Sequence, residues 1–363
     1  MTASAPTRTP PTRDQPRRTL RIGPVSGTYR RRQLAVPVAL LVVLLLTAAV
    51  SLGRGDYPIG VTDVLGVLVG AGDDTQRLIV LQLRLPRIAV AVGVGLALGM
   101  SGALIQTFAR NPLASPDFLG ITGGASMGAV AVIVLGGTTT VSGALGGLGL
   151  AAAALAGGLL MALLIFGLAW RGGIDGYRLV LVGVGLAALA QAGVSWLLTR
   201  SSLFDAAAAN VWITGSLNGR GWEQVRPLAI ALVVLVPAAL ALNRVLAVLA
   251  FGDETARALG VRVPLAQAVV VLVGVALAAF AVSAAGPIQF VALVVPQIAV
   301  RLTGGSRPPL LAAGLLGALL VVASDLLART VLPDSFPVGV VTAIAGAPYL
   351  LWLLVRGRRR STL

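Results

Sequence analysis

A compact charged segment at residues 252–260, Gly-Asp-Glu-Thr-Ala-Arg-Ala-Leu-Gly, lies between two long apolar runs. Asp253 can cap the N-terminus of a helix, and Glu254 falls in the first turn, where a negative charge is favourable. Ala256 and Leu259 lie three residues apart on one helical face. Because a helix of about one and a half turns is marginal in water by itself, this segment needs a surface to lie against.

Two interpretations of this segment are open. It is a contact surface for a soluble partner, or it is an amphipathic connector that rests on lipid headgroups. Gly260 is placed to end the helix in both cases. The partner surface is favoured, because such a concentration of charge stands out in a chain that is 57% hydrophobic and 11% charged.

The residue types that the chain lacks exclude several chemistries. It has no cysteine and no histidine, which excludes disulfide bonds, soft-metal sites and imidazole acid-base catalysis within the chain. It also has no lysine, and a Walker A loop requires one. If ATP drives this protein, another polypeptide hydrolyses it, so the chain itself is not expected to be an enzyme, to bind a cofactor or to hold a metal.

A second group of residues, 110–117, reads Arg-Asn-Pro-Leu-Ala-Ser-Pro-Asp. Asn111 before Pro112 is a turn signal, and Ser115 before Pro116 predicts a helix start with the serine as N-cap. Two such signals four residues apart indicate a rigid corner that faces inward. A plain tight loop between helices explains the spacing equally well.

Composition places these segments in a membrane protein. The 363-residue chain has a mean hydropathy of +0.93, and its repeated apolar runs match the thickness of a bilayer, ~30 Å. Backbone groups in lipid must bond within their own segment, so the spans are helices. The 45 glycines suit close helix packing. The sequence predicts an all-α polytopic membrane protein.

Ten spans are predicted from the charge-free lengths. Two long stretches, 118–170 and 263–300, hold two spans each, with breaks near 136–147 and at 285–287. The six single spans are 33–53, 88–109, 179–199, 227–243, 308–324 and 335–355.

Arginine, the only basic residue used, sets the orientation. It is concentrated in residues 1–33, which we expect to be a disordered cytoplasmic tail, and in the basic cytoplasmic tail 356–363. Both termini are therefore predicted to be cytoplasmic, with a transmembrane domain at 34–355 and a partner-binding loop at 249–264. The pI of 11.7 reflects topology and contact with anionic lipid, and no nucleic-acid partner is expected.

Three arginines lie where the positive-inside rule disfavours basic residues. Arg84 and Arg87 are at the outer start of span two, and Arg329 is at the outer end of span nine. An external acidic partner explains them, and so does snorkelling to lipid phosphates.

Asp325 is an intramembrane acid, a functional candidate by default. Since it lies four residues before Arg329, an intrahelical ion pair favours a structural role.

Seven motifs follow one another between about residues 83 and 350 and cover nearly the whole membrane domain. They are Leu83-Arg84-Leu85-Pro86-Arg87; Ser101-Gly102 through Gln106 to Arg110-Asn111-Pro112-Leu113-Ala114, Pro116 and Leu119-Gly120; Trp212 to Gly215-Ser216-Leu217 and Trp222; Leu249 to Gly252-Asp253-Glu254 and Ala256 to Leu259-Gly260-Val261; Gly286 to Phe290-Val291 and Val294-Val295-Pro296; Asp325 with Ala328-Arg329; and Pro337-Val338-Gly339-Val340 to Gly346-Ala347-Pro348. In this order they resemble the FecCD family of ABC importer permeases, which handle ferric siderophores, vitamin B12 and haem.

The resemblance implies a ten-helix type II permease subunit that pairs with a second, identical or paralogous permease. It implies two ABC ATPase subunits that bind ATP and Mg²⁺, and an extracytoplasmic binding lipoprotein or periplasmic protein docked by Arg84, Arg87 and Arg329. The residues implied in ATPase coupling are Gly252, Asp253, Glu254, Ala256, Arg257, Leu259 and Gly260. The expected structural and gating positions are Gln106, Arg110, Asn111, Pro112, Pro116, Pro296, Gln297, Asp325, Pro337 and Gly339.

The chain departs from the family pattern at three places. The family commonly has His where this chain has Gln297, Glu-Leu where it has Ser335-Phe336, and Gly where it has Ala292. These departures bear on substrate identity and local gating and leave both docking surfaces unchanged.

We therefore expect a multi-pass permease subunit of the cytoplasmic membrane, and a ferric siderophore is the favoured cargo. Vitamin B12 or haem is the nearest alternative. A sodium-coupled secondary carrier is the alternative from another class, because sodium coupling through backbone carbonyls remains open. A polytopic membrane enzyme comes third, since the sequence offers no cluster of catalytic side chains within one site.

Overall fold

The computed structural model describes residues 18–22, 25–29, 31–55, 57–117, 119–142, 146–170, 176–305, 307–331 and 336–358. Apart from one hairpin near the N-terminus, the regular elements in these ranges are helices. The predicted all-helical membrane architecture is thus confirmed.

The hairpin pairs β1 (Arg18–Ile22) with β2 (Val25–Tyr29) in antiparallel register. It falls within the predicted disordered tail, residues 1–33. Residues 1–17, 23–24 and 30 lie outside the described residues, so disorder of that tail stays a prediction.

The first long helix leads into a group of short elements. After α1 (Arg31–Gly53) come α2 (Val61–Leu68) and α3 (Asp74–Arg77), which a π-helical turn (Leu78–Arg84) joins to α4 (Leu85–Ala109). A capping box starts α3, and a proline in its first turn suits the start of α4. The remaining helices are α5 (Ile121–Ser142), α6 (Gly146–Ala169), α7 (Gly176–Thr199), α8 (Leu203–Ile213), α9 (Trp222–Ala241), α10 (Asn243–Leu249), α11 (Asp253–Ala258), α12 (Val263–Ala285), α13 (Val291–Thr303), α14 (Leu310–Thr330) and α15 (Val338–Arg358).

Seven described helices are long and apolar enough to cross a membrane. Three other predicted spans coincide with shorter apolar helices, at Ile121–Gly136, Val291–Thr303 and Val338–Trp352. The total of ten spans and the orientation of the termini therefore stay predictions. The sequence did not predict α8, which is short and lies between two longer helices.

Helix α4 lies at the centre of the bundle, packed against α9, α12, α13 and α14. Glycine allows the closest of these approaches, because no Cβ separates the two backbones. A Cβ on Gly95 would lie 2.3 Å from the carbonyl oxygen of Gly317, and one on Gly317 would lie 2.1 Å from that of Gly95. The two helices therefore interlock at this pair.

We predict that Gly95→Ala destabilises the protein by about 1–3 kcal/mol, because the added methyl group forces α4 and α14 apart. The measurement is the melting temperature in detergent micelles. Gly167→Ala is the matched control, since a Cβ there meets nothing within 4 Å. Equal melting temperatures for the two variants would contradict this account of the packing.

Candidate functional site

The charged segment folds as predicted into a short helix, α11, though with a different cap. Gly252 occupies the N-cap position with φ 107°, and Asp253 is the first helical residue. Gly260 ends the helix with φ 82°, and the next amide, of Val261, donates to the Ala256 carbonyl oxygen at 3.0 Å. This C-terminal bond is typical of a glycine-terminated helix.

Ala256 packs α11 against the bundle, and several other side chains of the segment are exposed. Ala256 is fully buried in a cluster with Leu249 and Val263. Glu254 and Arg257 are exposed, and Leu259 is 64% exposed. Of the two residues predicted to share one helical face, Ala256 is thus buried and Leu259, the C-cap residue, is exposed. The exposed surface therefore combines the charges of Glu254 and Arg257 with the apolar side chain of Leu259.

Arg110 ties α11 to the end of α4. It has a left-handed backbone conformation, φ 50°, which ends α4. Its guanidinium donates to the Leu249 carbonyl oxygen at 2.9 Å and to the Asp253 carboxylate at 2.5 Å. Gln267 of α12 donates to the second Asp253 oxygen at 3.2 Å. Three helices therefore meet at this carboxylate, which is why it does not cap α11.

The corner after Arg110 is a turn, as predicted, but it does not start a helix. The Asn111 side chain accepts from the Leu113 amide at 2.9 Å and closes a turn around Pro112. Helix α5 begins only at Ile121. The prediction that Ser115 is an N-cap and Pro116 the first helical residue is therefore wrong. The chain makes a further turn first, in which the Gly120 amide donates to the Asp117 carbonyl oxygen.

The segment after this corner lines a cavity of about 320 Å³, which we call the polar chamber. Its Asp117 carboxylate accepts from the Thr122 hydroxyl at 2.6 Å. Asp117 lies in the connection outside the helices, where burial raises the pKa of its carboxyl and the Thr122 hydrogen bond opposes that rise. The polar lining residues are Ser115, Asp117, Thr122, Ser126, Gln191 and Gln289.

Gln106, Pro296 and Gln297 come together between α4 and α13. Gln106 is 3% exposed, and its amide nitrogen donates to the Leu293 carbonyl oxygen at 2.8 Å. Gln297 donates to the Gln106 side-chain oxygen at 2.6 Å. The residue that departs from the family pattern is thus bonded directly to a predicted gating residue.

The last two positions predicted to be structural or gating, Pro337 and Gly339, lie at the start of α15. The Gly339 amide donates to the Gly215 carbonyl oxygen at 3.1 Å. A Cβ on Gly339 would lie 2.0 Å from the Thr214 carbonyl oxygen. Only glycine allows this approach of α15 to the connection after α8.

The three misplaced arginines meet at the opposite end of the bundle from α11, around Asp325 and the end of α1. Arg87 bonds both oxygens of Asp325, the shortest distance being 2.7 Å. Arg329 lies 3.1 Å from the same carboxylate and donates to the Ser51 hydroxyl at 2.6 Å. Arg84 is 8% exposed. The predicted pair of Asp325 with Arg329 is present.

The arginines also donate hydrogen bonds to carbonyl oxygens in the last turn of α1 and in the segment that follows it. Arg84 donates to the carbonyl oxygens of Leu52, at 2.7 Å, and Tyr57, at 2.6 Å. A cation at this position also suits the negative end of the helix dipole. These contacts account for positive charge here without an external partner. Docking by Arg84, Arg87 and Arg329 stays a prediction.

Comparison with known proteins identifies the family. The FecCD transport family matches residues 41–356 of the chain. This chain belongs to the FecCD transport family. It is thus an integral membrane protein and a permease subunit of the ABC importer type, and not itself catalytic.

Relatives of this FecCD protein match almost end to end. The ferric enterobactin transport system permease protein FepG of Escherichia coli (strain K12) is 40% identical over 335 residues, covering 92% of this chain and 99% of FepG. The vitamin B12 import system permease protein BtuC of Yersinia enterocolitica is 37% identical, covering 87% and 91%. A solved metal-chelate type ABC transporter in an inward-facing conformation has a TM-score of 0.77 and 29% identity, covering 89% and 99%.

Two contacts of this FecCD protein were missed in the sequence. Gln267 was not singled out, although a lone amide near the start of an apolar helix is a signal for a polar partner. The contact of Arg87 with Asp325 joins residues 238 positions apart, and the sequence carries no local signal for it.

We predict that Asp325→Asn destabilises the folded protein by about 3–5 kcal/mol, because two largely buried guanidinium groups lose their carboxylate. The melting temperature in detergent micelles measures the effect. Asp63→Asn, on an exposed carboxylate in the first turn of α2, is the control and should cost less than about 0.5 kcal/mol. A melting temperature for Asp325→Asn equal to that of the control would rule out a structural role.

Proposed function

We propose that this permease carries a ferric siderophore across the cytoplasmic membrane as part of a binding-protein-dependent ABC importer. The observation that carries the proposal is helix α11, which leaves Glu254, Arg257 and Leu259 exposed while Asp253 is bound to α4 through Arg110. An element with an exposed surface and an anchored base suits contact with a separate motor. The chain has no lysine for a Walker A loop, so that motor is another polypeptide.

In this proposal two ATPase subunits bind ATP and Mg²⁺ and contact residues 252–260 from the cytosol. A second permease, a copy of this chain or a paralogue, completes the transport path. The chain crosses the membrane ten times, with both termini cytoplasmic. The arginine-rich tails support this orientation through the positive-inside rule.

An extracytoplasmic binding protein delivers the cargo at the end of the bundle formed by Arg84, Arg87 and Arg329. Three arginines around the single carboxylate of Asp325 support docking of an acidic surface. Because each of these arginines also bonds within the chain, they shape the docking surface as well as charge it.

The names of the relatives support a siderophore cargo. FepG is described as a ferric enterobactin permease, and another relative, 38% identical over 326 residues, as a probable siderophore permease of Bacillus subtilis. BtuC, for vitamin B12, makes that compound the nearest alternative, and haem is a further one. An iron atom that travels within its chelate needs no histidine or cysteine ligand from the permease.

Uptake of ferric hydroxamate and ferric catecholate siderophores, labelled with radioactive iron, tests this proposal in a strain that lacks the native permeases. We expect uptake of at least one chelate when this permease, its ATPase and its binding protein are all present. Omission of either partner should abolish it. Uptake of vitamin B12 or haem alone would support the nearest alternatives, and uptake without an ATPase would support a sodium-coupled carrier.

For the coupling surface, we predict that Glu254→Lys combined with Leu259→Asp reduces ATP-driven uptake at least about tenfold, because the exposed face loses its charge and apolar contact. Copurification of the ATPase and uptake are the measurements. Asp74→Lys, an exposed charge reversal at the other end of the bundle, is the control and should leave copurification of the ATPase intact. Wild-type copurification and uptake by the double variant would reject this role for α11.

A further inference from the structure

Pro296 removes one backbone hydrogen bond from α13. The amide of residue 296 would normally donate to the carbonyl oxygen of Ala292, but proline has no N–H. The Gln106 side chain of α4 approaches this position. Its amide nitrogen lies 3.5 Å from the Ala292 oxygen and 2.8 Å from the Leu293 oxygen. The short bond of Gln106 is thus to Leu293, and the Ala292 oxygen, which the proline leaves without its helical donor, lies at the edge of hydrogen-bonding distance.

Gln297 fixes the orientation of that side chain. It donates to the Gln106 oxygen at 2.6 Å, so both ends of the Gln106 amide are bonded. A primary amide has one acceptor and one donor group, and here each group has a partner on α13. Loss of either bond leaves a buried polar group unsatisfied, which is more costly than loss of an exposed one.

The backbones of α4 and α13 also lie in close contact. A Cβ on Gly102 would lie 1.8 Å from the Ala292 carbonyl oxygen. Together with the bonds of Gln106, this contact makes α13 follow any displacement of the last turns of α4. Close-packed interiors have low compressibility and transmit strain between neighbouring helices.

The same part of α4 is bound to α11, the proposed contact helix for the ATPase. Arg110 lies four residues after Gln106, about one helical turn, and bonds Asp253 of α11. The Asn111 amide donates to the Gln106 carbonyl oxygen at 3.2 Å. Both α11 and α13 are therefore attached within one turn of α4.

Helix α13 in turn forms part of the polar chamber and contacts α15. Phe290, at its N-cap with φ 66°, and Leu293 line the chamber. A Cβ on Gly346 of α15 would lie 2.4 Å from that of Phe290. Further along α13, Arg301 donates to the Tyr349 hydroxyl at 2.8 Å. Displacement of α13 therefore reaches the chamber wall and α15.

We propose that Gln106 and Gln297 are positioning residues that transmit movement of the ATPase-bound helix α11, through the end of α4, to α13 and the wall of the polar chamber. This inference rests on the proposed coupling role of α11. It also explains the position of Pro296, which leaves the Ala292 carbonyl oxygen without a helical donor beside the point where Gln106 bonds Leu293.

The test uses the complete importer, with its ATPase and binding protein, in proteoliposomes. Gln297→Met and Gln106→Met keep the length of the side chain and remove its hydrogen bonds. We expect each to lower the amount of ferric chelate transported per ATP hydrolysed by about tenfold, as for loss of a buried hydrogen bond, while the ATPase still copurifies. The chelate is the hydroxamate or catecholate siderophore that the wild type takes up.

Two further variants separate transmission from general stability. Gln297→His keeps an N–H donor and should restore the transport ratio to within about twofold of wild type. Gln224→Met removes another buried glutamine, whose oxygen accepts from the Gly221 amide at the start of α9. Its ratio should stay at the wild-type value.

A wild-type ratio in Gln297→Met, or an equal loss in Gln224→Met, would overturn the inference. If the methionine variants do not assemble with the ATPase, Gln297→Asn serves as the test variant. Its shorter side chain keeps the amide but withdraws it from Gln106. A lowered ratio then supports transmission, and a wild-type ratio or failed assembly overturns it. A wild-type importer that hydrolyses ATP without taking up any ferric siderophore contradicts the proposed function instead.

Discussion

An ion pair between Arg110 and Asp253 joins the exposed helix α11 to the centre of the bundle. The pair depends on the left-handed backbone of Arg110, φ 50°, a conformation that costs a non-glycine residue about 1–2 kcal/mol. Contacts with Leu249 and Asp253 offset this cost. Because α4 then runs through the bundle against four other helices, α11 is attached to the core and not to a loose loop.

The same chemistry occurs at the opposite end of the bundle. There Arg84 donates to the carbonyl oxygen of Leu52 and Arg329 to the side chain of Ser51, both in the last turn of α1. Within the membrane no water is available to donate to unpaired carbonyl groups, so the chain must supply its own donors. Arginine suits this task because its charge is permanent and its guanidinium reaches several acceptors at once. Both ends of the bundle are therefore held by arginines at helix termini.

The charge-free lengths of the sequence predicted the long helices well, because hydrophobic thickness sets their size. The break after Ala285 was also predictable, since Gly286 adopts φ 75° there. Local signals failed at Ser115 and Pro116, where chain packing places a further turn before α5. They also gave no indication of the Gln106 and Gln297 contact, which joins residues 191 positions apart and depends on the tertiary fold.

Site-directed labelling tests the central claim, that α11 is a cytoplasmic contact surface for a separate ATPase, most directly. The chain has no cysteine, so a single cysteine in place of Glu254 is the only thiol available to a membrane-impermeant maleimide. The account predicts labelling in inside-out vesicles and not in intact cells, and protection when the ATPase is bound. Labelling from the outside of intact cells, or labelling that the bound ATPase leaves unchanged, would contradict it.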